Sequence, residues 1–202
     1  MIEGLLDLAS AFGLSASAGL NAYIPMLVLA LLARFTGLVE LGEPWSALTS
    51  WWIIGLLGVL LIIETLADKI PAVDTVNDVI QTVVRPTAGA IVFAATTQKT
   101  IHLHPVLAFA CGVILAGGVH LVKAGGRPVV TATTGGMGNP IVSTIEDIVS
   151  TITSLIAIIF PYLVLAWLFL LVLLIYLVVR RRRLRAEARA MSASVTSPPT
   201  RR

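Results

Sequence analysis

Residues 152–179 contain no Asp, Glu, Lys or Arg, and an uncharged apolar run of that length admits few folds. A bilayer core takes about 20 apolar helical residues. Backbone groups in lipid must be satisfied within the spanning element, which leaves helices and closed barrels. Four more stretches fit the helical rule: residues 11–33, 51–67, 75–98 and 105–122. The second lies behind Trp45, Trp51 and Trp52, aromatic residues suited to a membrane interface. Pro86 interrupts the third, which reaches full length only as a kinked helix beginning near Thr75. Pro161 lies inside the fifth. The expectation is an all-α fold, a polytopic transmembrane bundle of about five spans with kinked helices.

Composition agrees, since 57% of the 202 residues are hydrophobic, 12% are charged and the mean hydropathy is +0.94. A soluble domain does not fit these values. The net charge of +3 belongs to the end of the chain: from Arg180 onward there are eight of the fourteen basic residues and one acid, Glu187. Residues 1–179 hold six basic residues against ten acidic ones. That distribution argues against nucleic acid as a partner and places the basic tail near anionic lipid. We therefore divide the chain into a transmembrane domain, 1–179, and a basic tail, 180–202, whose Ser, Pro and small residues predict disorder. By the positive-inside rule the tail is cytoplasmic, and five spans then put the N-terminus outside. Glu3 and Asp7, with no Lys or Arg among the first ten residues, do not resemble a cleaved leader. Cys111 is the only cysteine, so a disulfide within one chain is excluded.

A polar motif is duplicated within this apolar chain. Residues 71–83, PAVDTVNDVIQTV, return at 140–152 as PIVSTIEDIVSTI, with five of the thirteen positions identical. Polar groups in a bilayer are costly, and transporter sites tend to sit where repeats meet. Ser143 followed by Glu146 has the form of a capping box, and Asp74 with Asn77 is the matching pair in the first copy. Both motifs therefore predict helix starts on the same external side, with free amides suited to anionic groups. The two pairs of spans that carry them are expected to be parallel repeats.

The charges near these motifs are the candidate site. Glu64 and Asp68 share one helix face, four residues apart, while Asp78 and Arg85, seven apart, share another. An arginine well inside a span marks a functional site by default, and its expected partners are Glu64, Asp78 and Asp147. A structural ion pair locking the repeats together is the rival account. Residues 123–140 read as an external loop rich in Gly and Thr, with Lys123 and Arg127 at the outer mouth of the site. Asp74, Ser143 and Glu146 complete the candidate residues for solute or ion binding.

Several patterns bear on packing. Ala108, Gly112, Ala116 and His120 form a row at four-residue spacing that lets another helix approach closely. Ser15, Ser17, Gly19, Asn21 and Pro25 make the first span polar and small on one side, so it packs on protein or lines a cavity. His102 and His104 flank a turn without further ligands at metal spacing, and no metal or cofactor site is expected.

Taken together, the strings GLNAYIP at 19–25 and ETLADKIPAVD at 64–74, Arg85-Pro86 with Gly89, Lys123, Asn139-Pro140, and Ser143 with Glu146 and Asp147 resemble the bacterial membrane proteins grouped as domain of unknown function 4126. The resemblance covers residues 11–160. It implies a location in the bacterial inner membrane and carries no established activity. The functional expectation is a small transporter or channel-like permease for an unidentified solute, ion or lipid-related anion. It would work as a homo-oligomer among membrane lipids, with a charged site between two repeats. The alternative is a structural or regulatory membrane protein whose ion pairs only stabilise the bundle. An enzyme acting on lipid finds no nucleophile or metal motif in the sequence.

Overall fold

The computed structural model describes residues 2–68, 70–101 and 103–170 together with positions 173, 177 and 180; the side chains of residues 71, 72, 74, 75, 99 and 100 fall outside that description. The helices are α1 (Ile2–Ala18), α2 (Tyr23–Phe35), α3 (Trp51–Ala67), α4 (Pro71–Ile101), α5 (Pro105–Thr134) and α6 (Asn139–Ile159), with a single 3-10 turn at Trp45–Thr49 before α3. A further helix, α7 (Pro161–Leu170), follows a break at Phe160. The chain forms two compact units, residues 1–164 and 165–202. The basic tail expected to be disordered lies, beyond Arg180, outside the described residues. Among the described residues, three helical stretches are long and apolar enough to cross a membrane by length and composition: Val76–Gln98, Pro105–Thr134 and Asn139–Ile159.

Contacts along the helices fix their directions. Ser15 donates to the Gly89 carbonyl at 2.8 Å, and Phe12 meets Phe93 edge-on, so α1 and α4 are antiparallel. Ser17 bonds Ser150 and Ser154 while Gly13 faces Ala157, so α1 and α6 are antiparallel too. It follows that α4 and α6, which carry the two motif copies in their first turns, run the same way. Arg85 beside His120, and Gly89 beside Gly112, set α5 antiparallel to α4.

The first expected span, 11–33, is not one helix. The chain breaks at residues 19–22 and reverses. Pro25 has no amide to donate to the Asn21 carbonyl, so an unbroken helix would lose a bond there. The Asn21 Oδ1 atom instead accepts from the amides of Tyr23 (3.0 Å) and Ile24 (3.1 Å), serving the free start of α2. At its far end, Arg34 donates to the Thr49 carbonyl at 2.6 Å and lies over the Trp51 ring. The segment before Thr49 touches the end of α4 through Gln98 and Glu43, and the start of α5 through Trp45 and Phe109. Hence α1 begins and α2 ends at the same end of the bundle. They form a helical hairpin whose tip points inward. At about 1.5 Å per residue, the 17 residues of α1 and 13 of α2 reach about 25 and 20 Å, short of a hydrocarbon core of about 30 Å. Both motif copies consequently lie at the end opposite the N-terminus, not on the same side as it.

Two other expectations change. Residues 123–134, expected as loop, continue α5, and only 135–138 form a turn, closed by Gly135 at φ 63°. The buried row Ala108, Gly112, Ala116 and His120 runs on into Lys123 and Arg127, and ion pairing of those two cations holds helical a segment whose glycines favour a loop. The helix that carries the second motif copy into the fifth span begins at Asn139 and stops at Ile159, where Pro161 breaks it.

Small residues let these helices meet. A Cβ on Gly112 would strike the Gly89 carbonyl and lie 2.5 Å from the Ala90 Cα, and one on Gly89 would strike Ala116. Helix packing in lipid relies on such close approach and on hydroxyl bonds such as Ser17 to Ser150 and Ser154, because burial from water drives little there.

Candidate functional site

The hairpin tip, the end of α3, the first half of α4, the second half of α5 and the start of α6 converge on one charged cluster. Arg85, fully buried, donates from Nη2 to Glu64 Oε1 at 3.0 Å. Its Nη1 lies 3.1 Å from His120 Nδ1. A guanidinium only donates, so this nitrogen of His120 accepts, and the ring proton sits on Nε2, 3.1 Å from the Thr82 hydroxyl. His120 is therefore held as a neutral imidazole in the α5 wall.

One turn further along α5, Lys123 pairs with Glu146 Oε2 at 2.7 Å and donates to the Leu20 carbonyl at 3.0 Å. The carbonyl freed by the chain break is thus satisfied by a buried ammonium. Arg127 bridges three carboxylates: Asp78 at 3.1 Å, and Asp68 and Glu146 at 3.6 Å each. Asp147 takes a hydrogen bond from Asn21 Nδ2 at 2.9 Å and makes no ion pair among the described residues.

Asp68, just past the end of α3, is the hub between the motif copies. Asn77 of the first copy donates to its Oδ1 at 2.8 Å, and Ser143 of the second to its Oδ2 at 2.6 Å. Burial works to raise its pKa, but these two hydrogen bonds, with the Lys123 and Arg127 charges, outweigh it and hold the carboxyl below the usual carboxylate range.

The structure brings Glu64, Asp68, Asp78, Arg85, Lys123, Arg127, Ser143, Glu146 and Asp147 together; the Asp74 side chain lies outside the described residues. Three roles differ from those expected. Ser143 sits inside α6 and does not cap it, because Asn139 and Pro140 already form the first turn and its hydroxyl is spent on Asp68. Asp78 pairs with Arg127, not Arg85, since α5 passes beside that turn of α4. Lys123 and Arg127 are buried in helix α5, not placed on an outer loop. Sequence reasoning passed over Gln81, which shares the Arg85 face one turn earlier, and Tyr23, which stands close enough to hydrogen-bond it. Asn21 was visible as an amide in mid-span ahead of Pro25, but not as a break.

An all-helical bundle with long apolar helices around a buried ionic cluster defines a helical membrane protein. Residues 8–181 match the family described as domain of unknown function (DUF4126), and the chain belongs to that family. No curated protein and no solved structure matches it.

Proposed function

We propose that this protein is a small membrane permease whose site is the charged cluster at the hairpin tip, with its arginine-rich end in the cytoplasm. One observation carries the proposal: the interrupted backbone at residues 19–22 is clasped by side chains of the cluster, Lys123 on the Leu20 carbonyl and Asp147 on Asn21. Interrupted helices near the middle of a bundle are a recurrent way to present backbone groups to a solute. Here a change in the cluster's charge acts directly on the hairpin. Among the described side chains, five carboxylates (Glu64, Asp68, Asp78, Glu146 and Asp147) face three cations (Arg85, Lys123 and Arg127), an excess of acid. That balance favours a cation or proton as one of its ligands.

The rival, a purely structural ion-pair network, is favoured by the complete burial of Arg85 and its pairing with Glu64. Reconstitution into liposomes separates the two. Permeation that is lost in Asp147→Asn at unchanged detergent stability supports the permease; a variant that loses stability alone, or neither property, supports the structural account.

A further inference from the structure

Three buried polar atoms near the pairing of Arg85 and Glu64 have no hydrogen-bond partner among the described residues: Glu64 Oε2, Gln81 Oε1 and Arg85 Nε. Each belongs to a side chain almost wholly removed from solvent, Glu64 and Gln81 at 2% exposure and Arg85 at 0%. Orphaned polar groups at such depth are expensive and call for an explanation. The carboxylate of Glu64 is held by only one of its oxygens, through Arg85 Nη2. Gln81 lies one helical turn before Arg85 on the same buried face of α4. Tyr23 stands beside Gln81 and within electrostatic range of both Glu64 and Arg85, which gathers all four side chains around one spot.

Glu64 Oε2 and Gln81 Oε1 are both acceptors, and among the described residues no donor reaches either of them. One added proton turns them into a donor and an acceptor. We infer that Glu64 and Gln81 form a proton-binding site, in which a proton from water bonds to Glu64 Oε2 and is directed at Gln81 Oε1, while Oε1 keeps its contact with Arg85. The role of that proton as the coupled ion rests on the permease reading. Of the surrounding charges, Asp68, just past the end of α3, favours the protonated form, while Arg85 on α4 and Lys123 on α5 favour the carboxylate, and His120 is engaged with Arg85. From α2 only Tyr23 approaches, and the α6 acids Glu146 and Asp147 are taken by Lys123 and Asn21. A bound proton removes the charge attracting Arg85, freeing the guanidinium to change partner.

The test is infrared difference spectroscopy of the full chain in lipid nanodiscs over a pH series. The expected result is a carboxylic-acid carbonyl band that grows as pH falls, disappears in Glu64→Gln and shifts in Gln81→Leu. Glutamine at 64 mimics the protonated side chain, accepting from Arg85 and donating to Gln81. Should that variant fail to fold, Gln81→Leu keeps every charge, and its band shift still decides. A band that persists in Glu64→Gln, or is unmoved in Gln81→Leu, overturns the site. One that vanishes on adding Na+ at fixed pH overturns the assignment to a proton in favour of sodium. Liposomes with an entrapped pH dye test the other layer: with the band intact and no proton flux, the permease reading falls while the proton site stands.

Discussion

Lys123 Nζ donates to the Leu20 main-chain carbonyl at 3.0 Å and pairs with Glu146 at 2.7 Å, so one side chain fastens the hairpin tip to the start of α6. Methionine there keeps the stem and removes both bonds. Lys123→Met is expected to cost about 2 kcal/mol, the range for hydrogen bonds to a charged group, because Glu146 is partly exposed and can rehydrate. Thermal unfolding in detergent measures the cost. The same variant should raise proteolytic cleavage near residues 19–22 more than elsewhere; uniform cleavage would show that the tip does not depend on Lys123.

Arg85 and Glu64 have no such escape, with side-chain exposures of 0% and 1%. Leaving a carboxylate buried without its partner costs about 3–5 kcal/mol. Arg85→Ala is expected to lose stability on that scale, and Arg85→Lys to recover only part, since an ammonium cannot reach Glu64 and His120 with the same fork. A double variant, Arg85→Met with Glu64→Leu, removes both charges and should be closer to wild type than Arg85→Ala. Equal losses for the single and double variants would mean that the pair is not coupled.

Asp68 supplies a pH signature. Its pKa is lowered in the folded state, so the unfolded chain binds a proton more readily. The stabilisation is fully present above the ordinary carboxylate pKa and is lost as pH falls through the lowered folded value. Ser143→Ala removes the 2.6 Å donor, which raises the folded pKa toward normal. We expect a loss of about 2 kcal/mol at neutral pH and a smaller difference from wild type in acid. Chemical unfolding at several pH values checks this; a difference independent of pH would separate Ser143 from the charge on Asp68.

What the sequence made legible follows from physics that acts locally. Apolar runs long enough for a bilayer announced the helices around Arg85, His120 and Ser154, and an arginine at that depth announced a carboxylate partner. The small-residue row at Ala108, Gly112 and Ala116 was visible because helical periodicity is a property of the sequence itself. Pairing decided the rest. Glycines at 125 and 126 suggested a loop, but Lys123 and Arg127 meet acids from α4 and α6, distant in sequence, and those contacts keep the segment helical. The hairpin escaped because residues 11–33 are apolar enough for one span, and no hydropathy window registers what Pro25 and Asn21 do to the backbone.

Close helix contact gives a steric prediction. Gly112 meets the Gly89 and Ala90 backbone, whereas Gly118 has nothing within 4 Å of a modest side chain's first carbon. Gly112→Val is expected to lose about 1–3 kcal/mol through overpacking, and Gly118→Ala to change stability by less than about 0.5 kcal/mol. Melting curves of both in one detergent make the comparison, and comparable effects would contradict the α4 and α5 contact.

The hairpin itself has a topological consequence that no ion pair can imitate. If α1 and α2 enter and leave by one end of the bundle, then Glu3 in the first turn of α1 and Gly37 after α2 face the same side of the membrane. Met137, in the turn between α5 and α6, faces the other. In a Cys111→Ser background, single replacements Glu3→Cys, Gly37→Cys and Met137→Cys report this through a membrane-impermeant maleimide applied to sealed vesicles of known orientation. The expected pattern is that Glu3→Cys and Gly37→Cys label together, and Met137→Cys labels only when the opposite face is exposed. A single span over residues 11–33 predicts instead that Glu3→Cys and Gly37→Cys label from opposite faces. That result would remove the broken hairpin, and with it the backbone break on which the permease proposal depends.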